Sequence, residues 1–352
     1  MTPDIGLHSF RGMKRRMKLL VKVASLQVAC VSSSEALVVS LNPAAGMDPN
    51  ALAGFQAAAN YWQSQLTDNV TVNVNVGFSA LGPDILGSAG STRAVFSVAD
   101  VRAALIGDAT STNDMLAIGN LPTLSGLGGI SFLTQVNSET GSTAVTLDND
   151  NSNNNRLLYL NTANAKALGL MGANAAADAS ITFSSLFSWD FDQSNGVGAG
   201  LQDFVGVAIH EIGHALGFVS GVDIVDGYIG NPTNLDNYAI YSALDFFRFS
   251  APGTLNLAAG DAAYFSLDGG TTNLGNFSTG SFYGDEEQAS HWKDNLGLGI
   301  MDPTMNPAGQ INTPSTLDLV AFDVIGWNLV PEPSSALLGS LSLLFVMTRR
   351  RR

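Results

Sequence analysis

Apolar side chains between residues 48 and 67 recur every three to four positions. Leu52, Phe55, Ala59, Trp62 and Leu66 form one stripe behind the start signal Asp48-Pro49, so the spacing predicts a helix over 48–67. Val70, Val72, Val74 and Val76 then alternate with Thr71, Asn73 and Asn75, the period of a half-buried strand. The same reading predicts helices over 97–105 and 163–170, a strand over 156–160, and one or two strands around Ile181, Phe183, Leu186, Trp189 and Phe191. Repeated glycine with Pro122 and Ser125 marks a loop over 119–129, and a polar loop follows over 193–200. Pro314 suits the start of a last helix over 315–326, where Leu317, Val320, Ala321 and Ile325 are helically spaced. No fixed period repeats, so 37–329 reads as one domain rather than an array.

The two ends have a different pattern. A basic cluster over 13–18, a short apolar stretch over 19–31 and a small polar stretch over 32–36 have the layout of a secretory signal, with Ser34 and Ala36 suiting cleavage after residue 36. At the other end Pro331, Glu332 and Pro333 precede an apolar stretch over 336–347 and four arginines over 349–352. That stretch is short against the ~17–25 residues of a permanent span, so it suits a transient sorting signal. The segment 330–352 resembles the PEP-CTERM signal of Gram-negative bacteria. The resemblance implies signal peptidase and exosortase as processing partners, transient membrane contact through the termini, and a secreted or cell-surface location.

Charge narrows the classes of function. The chain of 352 residues has a net charge of −14, yet ten of its sixteen bases sit in the two ends. Between Leu37 and Val330 six bases meet twenty-seven acids, which leaves no basic stripe for a phosphate backbone and excludes nucleic acid as a partner. Hydrophobic residues make up 45%, enough for a sizeable core, and Cys30 is the only cysteine, so neither an internal disulfide nor a thiolate cluster is available. The segment 148–153, Asp-Asn-Asp-Asn-Ser-Asn, offers oxygens for calcium but lacks the glycine and distal glutamate of an EF-hand, so a solvated turn is the competing reading.

The segment with the strongest chemical signal is 201–218. Phe204, Val207, Ala208, Ile212, Ala215 and Leu216 supply the apolar surface of a helix that contains His210, Glu211 and His214 as His-Glu-x-x-His. Residues four apart share a helix face, so both imidazoles can meet one metal ion, while Glu211, rotated by ~100°, reaches a water beside it. Two imidazoles and a carboxylate among apolar neighbours are costly to bury without an ion, and the donor set is that of zinc. A catalytic zinc site takes three protein ligands. Beyond the helix only His8 and His291 remain; His8 lies in the exported segment, which leaves His291, with Asp223 as the alternative third ligand.

His210 to Phe218, followed far downstream by Ser290-His291-Trp292 and by Met301 in a proline-containing turn, resembles the metzincin zinc metalloproteases, with the long third-ligand spacing of leishmanolysin-like members. The metzincin pattern ends in a third histidine three residues after its glycine, and here Ser220 stands at that position. The resemblance implies an α+β fold with a twisted mixed sheet, an active-site helix, and a C-terminal subdomain carrying the third ligand and the Met-turn. It implies Zn2+ on His210, His214 and His291, Glu211 as catalytic acid/base, Gly217 ending the helix, and Met301 in the Met-turn, with Met305 competing for that place. Protein or peptide is then the substrate, hydrolysed by an exported metalloendopeptidase whose specificity pocket draws on 219–290. The alternative is a non-catalytic surface or matrix protein with a structural zinc.

Overall fold

A computed structural model describes residues 36–83, 85–135, 143–231 and 233–331. Residues 1–35 of the predicted signal over 1–36, and the predicted sorting tail over 330–352 from 332 onward, lie outside the described residues.

The chain enters through β1 (Val38–Pro43), crosses in α1 (Pro49–Gln65) and returns in β2 (Thr71–Ser79). Asp48 caps α1 by accepting from the amides of Asn50 and Ala51, and Ala51, Phe55, Ala58, Ala59 and Trp62 face inward. Leu52, assigned to that stripe from the sequence, is only partly buried. In β2, Val72, Val74 and Val76 are buried as the alternation requires.

Four further elements, β3 (Gly87–Ser91), β4 (Arg93–Ser97), α2 (Val98–Asp108) and α3 (Thr112–Gly119), precede β5 (Phe132–Gln135) and β6 (Val145–Asp148). A short turn of helix, α4 (Asn153–Arg156), leads into β7 (Leu157–Asn161), α5 (Thr162–Ala167) and β8 (Ala179–Ser184). The principal sheet is twisted and mixed, in the order β1-β2-β8-β3; β1, β2 and β8 are parallel, and β3 is an antiparallel edge strand. A buried ion pair ties α5 to this sheet: Lys166 Nζ lies 2.6 Å from Asp178 Oδ2, which also accepts from the amide of Asn73 in β2.

Two short paired strands, β9 (Trp189–Asp190) and β10 (Gln202–Asp203), introduce α6 (Phe204–Leu216), which is followed by α7 (Val222–Tyr228). α6 packs between α1 and the sheet. Phe204 stands 5.0 Å from Phe55 and 4.9 Å from Phe183, ring centre to ring centre, and Trp62 Nε1 donates to the carbonyl of Ile209 at 3.0 Å. A side chain at Gly54 would overlap the Phe204 ring, so this helix crossing requires glycine.

A small antiparallel sheet follows, built from β11 (Arg248–Ala251), β12 (Thr254–Leu255), β13 (Tyr264–Phe265) and β14 (Gly275–Asn276) in the order β12-β11-β13-β14. The last helix, α8 (Thr316–Val324), is started by a Ser315–Asp318 capping box. The molecule is thus α+β with a twisted mixed sheet. Among the described residues no helix is long and apolar enough to cross a membrane.

The segment 148–153 ends β6 and turns into α4. Both oxygens of Asp148 accept side-chain amides, from Asn154 and Asn155 at 3.0 Å each, and Asp150 accepts the amide of Ser152 at 2.8 Å. Both oxygens of Asp148 and one of Asp150 are therefore engaged by amide donors within the turn.

Candidate metal centre

α6 is the most deeply embedded helix of the fold, and its sequence explains why. Asp203 caps it by accepting from the amide of Gly206, and eleven of its thirteen residues are buried. At its other end Gly217 adopts φ +123, a conformation that L side chains rarely adopt, and its amide returns to the carbonyl of His214 at 3.1 Å. Asn161, at the end of β7, donates to the carbonyls of His214 and Ala215 at 2.7 and 3.3 Å, and Trp327 Nε1 donates to that of Leu216 at 2.9 Å. The two histidines of the helix therefore stand on a backbone whose free carbonyls are tied down.

The structure brings His210, His214 and His291 together. Their Nε2 atoms form a triangle with sides of 3.0, 3.0 and 3.3 Å. Each Nδ1 faces a main-chain carbonyl: Ile300 O at 2.7 Å for His210, Phe218 O at 2.7 Å for His214, Gln288 O at 3.2 Å for His291. A carbonyl only accepts, so each ring carries its proton on Nδ1 and turns the Nε2 lone pair inward.

Burial, followed by neighbouring charge, holds the His214 pKa well below the usual imidazole value, and burial brings that of His291 down to about 3. Both are neutral at physiological pH. Three lone pairs then converge with no proton among them, an arrangement that repels itself unless a cation is shared.

The triangle fits one. A single metal ion could be held at about 2.0–2.1 Å from all three nitrogens, because the circle through them has a radius of only about 1.8 Å. Among the described residues these three form the only group of histidine, cysteine, aspartate or glutamate side chains able to converge on one ion.

The segment that carries His291 is held by carboxylates that the sequence reading did not assign to this task. Asp223, the alternative ligand, is outside the triad. It accepts from the amide of Ala289 at 2.6 Å, from the amide of Ser290 at 3.2 Å and from the Ser290 hydroxyl, so it grips the two residues before His291. Ser290 Oγ in turn accepts the amide of Ser220 at 2.8 Å. Ser220, at the position of the missing histidine, donates to Asp245 at 2.5 Å, and Asp245 also takes the amides of Gly221 and Ser242. Burial raises the pKa of both carboxylates, opposed by these donors and by the Arg248 charge. Arg248 is itself buried, donating to the carbonyls of Ser278 and Ala289 at 2.7 and 3.3 Å.

Asp318 does the same for the turn beneath the site. Fully buried, it accepts from Trp292 Nε1, from the amides of Ile300 and Met301, and from Ser315 N. Ile300 then presents its carbonyl to His210. Met301 is fully buried against α6, its sulfur placed so that a Cβ on Gly213 would meet it at 2.7 Å, whereas Met305 is only partly buried, on the far side of the turn among Asp302, Thr304 and Asn312. The Ser315-x-x-Asp318 capping spacing was visible in the chain; what Asp223 and Asp245 hold has no sequence signature, because their partners are main-chain amides.

The three imidazoles open into a cleft of about 490 Å³. One wall is the edge strand β3 with Arg93; Glu211 lies on the floor, and Val219, Asp223, Gln288, Ser290 and Pro303 complete the lining. A Cβ on Gly87 would lie 3.6 Å from Glu211 Oε1, so this carboxylate sits where the edge strand begins. Burial raises the Glu211 pKa, against a smaller lowering by His210, and no hydrogen-bond donor contributes to the shift. The site thus joins three inward-facing imidazole nitrogens, a carboxylate with no hydrogen-bond partner among the described residues and a strand edge on one open groove. Comparison with models of known families, with curated proteins and with solved structures finds no match.

Proposed function

We propose that this chain is a zinc-dependent metalloendopeptidase of the metzincin type, exported and delivered to the cell surface. The observation that carries the reading is the Nε2 triangle of His210, His214 and His291 beside the free carboxylate of Glu211. A site that served only to brace the fold would need no acid/base at its open face and would close with a fourth protein ligand.

Zinc supplies a Lewis acid that polarises a peptide carbonyl and acidifies a water molecule. The protein does the rest. Glu211, its pKa raised by burial, takes the proton from the attacking water and returns it to the departing amine. The neutral tautomer held on each imidazole by its carbonyl keeps three lone pairs available, and the fully buried Met301 keeps the two helical histidines on a firm floor. The unpaired edge of β3 offers amides and carbonyls to an extended peptide, which suits a polypeptide substrate better than a small amide.

The test is release of fragments from an unstructured protein by the zinc-loaded enzyme, with and without a chelator, alongside Glu211→Ala. Chelator-sensitive cleavage that disappears in the variant, at unchanged zinc content, is the expected result. Zinc binding without cleavage of any polypeptide overturns the assignment in favour of a structural metal.

A further inference from the structure

Six bases serve the whole segment between Leu37 and Val330, and five of them are engaged. Lys166 and Arg248 are buried, Lys293 pairs with Asp285, and Arg102 and Arg156 donate to Pro122 O and Asn153 Oδ1. Arg93 is the exception. It opens β4, half exposed in the wall of the cleft, and its guanidinium carbon stands 5.6 Å from the centre of the Tyr159 ring. Among the described residues no carboxylate lies within ion-pair distance of it.

Its place is set by the site. Arg93 pairs in register with Asn161, the residue whose amide bonds the carbonyl of His214, and its charge is felt at the His214 ring. The other charged side chains lining the cleft, Glu211 and Asp223, are acids. The chain leading to His291 is acidic too: Asp285, Glu286 and Glu287 precede Gln288. Apart from a metal held by the three imidazoles, the β3–β4 wall is therefore the one part of the lining that attracts a carboxylate, because there a cation rests on an aromatic face with its donors free.

We infer that Arg93 is a specificity residue that receives a substrate carboxylate, an aspartate or glutamate side chain close to the cleaved bond, so that the enzyme prefers acidic peptides in spite of its own net negative charge. This rests on the peptidase reading, and the experiment separates the two. Matched quenched-fluorescent peptides with Glu or Gln, and Asp or Asn, at each position flanking the cleaved bond are compared with wild type, Arg93→Gln, Arg93→Lys and Arg93→Glu. Binding of the same peptides to Glu211→Ala provides a readout independent of turnover.

At one position wild type should favour the acid over its amide by about tenfold in kcat/KM, the worth of one charge-assisted hydrogen bond in a partly open site. Arg93→Gln should abolish that preference, Arg93→Lys retain part of it and Arg93→Glu reverse it, with the change in KM and in binding to Glu211→Ala. Cleavage with equal rates for acid and amide at every position overturns the inference and leaves the peptidase intact. So does a fall in kcat by Arg93→Gln that is uniform across all peptides, because the guanidinium would then act on the reacting carbonyl. No cleavage of any peptide overturns both.

Discussion

Asp223 is the most informative residue to perturb, because it makes no hydrogen bond to the three imidazoles yet grips the segment that carries His291. Asp223→Ala removes the acceptor of three hydrogen bonds from Ala289 and Ser290. Each such bond to an ionised group contributes about 1.5–3 kcal/mol, and the two main-chain amides are left buried without a partner. Ser290 then loses its hold on Ser220, and Arg248 loses one of its compensating charges. Stability should fall by about 3–5 kcal/mol, the cost of leaving a buried charge and its donors uncompensated. Zinc affinity should fall about 10- to 100-fold, as when a supporting partner of a ligand is removed, while the ligand set itself is intact. Competition against a chromophoric chelator of known zinc affinity measures the second effect, and thermal unfolding of the metal-free protein measures the first. Asp223→Asn, which keeps one accepting oxygen, should fall between wild type and Asp223→Ala in both. If Asp223→Ala binds zinc as tightly as wild type while His291→Ala does not, the carboxylate is not what positions the third imidazole.

Other outcomes follow from the same geometry. Glu211→Gln should bind zinc normally and lose hydrolysis by at least about a hundredfold, as removal of a general base does; retained turnover would assign the proton to another group. His291→Ala should leave a two-nitrogen site that releases zinc to a weak chelator, measurable by metal content after dialysis. Burial raises the pKa of Asp108 and of Asp323 to about 6, with nearby carboxylates adding to the effect. The folded state therefore holds these protons more tightly than the unfolded chain, so their contribution is complete below pH ~4 and is lost as pH rises through about 6. Asp323→Asn, which also removes a negative charge from the carboxyl end of α8, should flatten that decline in a pH series of melting temperatures; an unchanged slope would assign it elsewhere. Gly221→Ala places a methyl group on the backbone of Ile240 and Tyr241 and should cost about 2 kcal/mol or more by chemical denaturation, because main chain cannot step aside.

Much of the frame and the centre was legible in the chain because periodicity and rare residue types carry information there. The predicted span 48–67 became α1 with Asp48 as its cap, the valine alternation became β2, and 315–326 became α8 with Ser315 as its cap. What escaped was built from main chain. β3 reads Gly-Ser-Ala-Gly-Ser and has no apolar alternation, since it lines the cleft and Gly87 leaves room for Phe183. It nevertheless forms one wall of the cleft, whose lining also includes Val219, Asp223, Gln288 and Ser290 from the segment 219–290 that the sequence pointed to. α3 and the small sheet β11–β14 were also unforeseen; α3 is short, and the strands are two to four residues long, below the length at which a period can be read.

The departure at Ser220 has a consequence for biosynthesis. A third imidazole three residues past the helix-ending glycine would complete the cluster within a few turns of chain, whereas here it arrives 77 residues after His214. A polypeptide still being translated, with position 291 not yet delivered, has only two of the three nitrogens and cannot offer an ion a three-point grip. If the triad holds a metal as proposed, its loading waits until nearly the entire domain has been made.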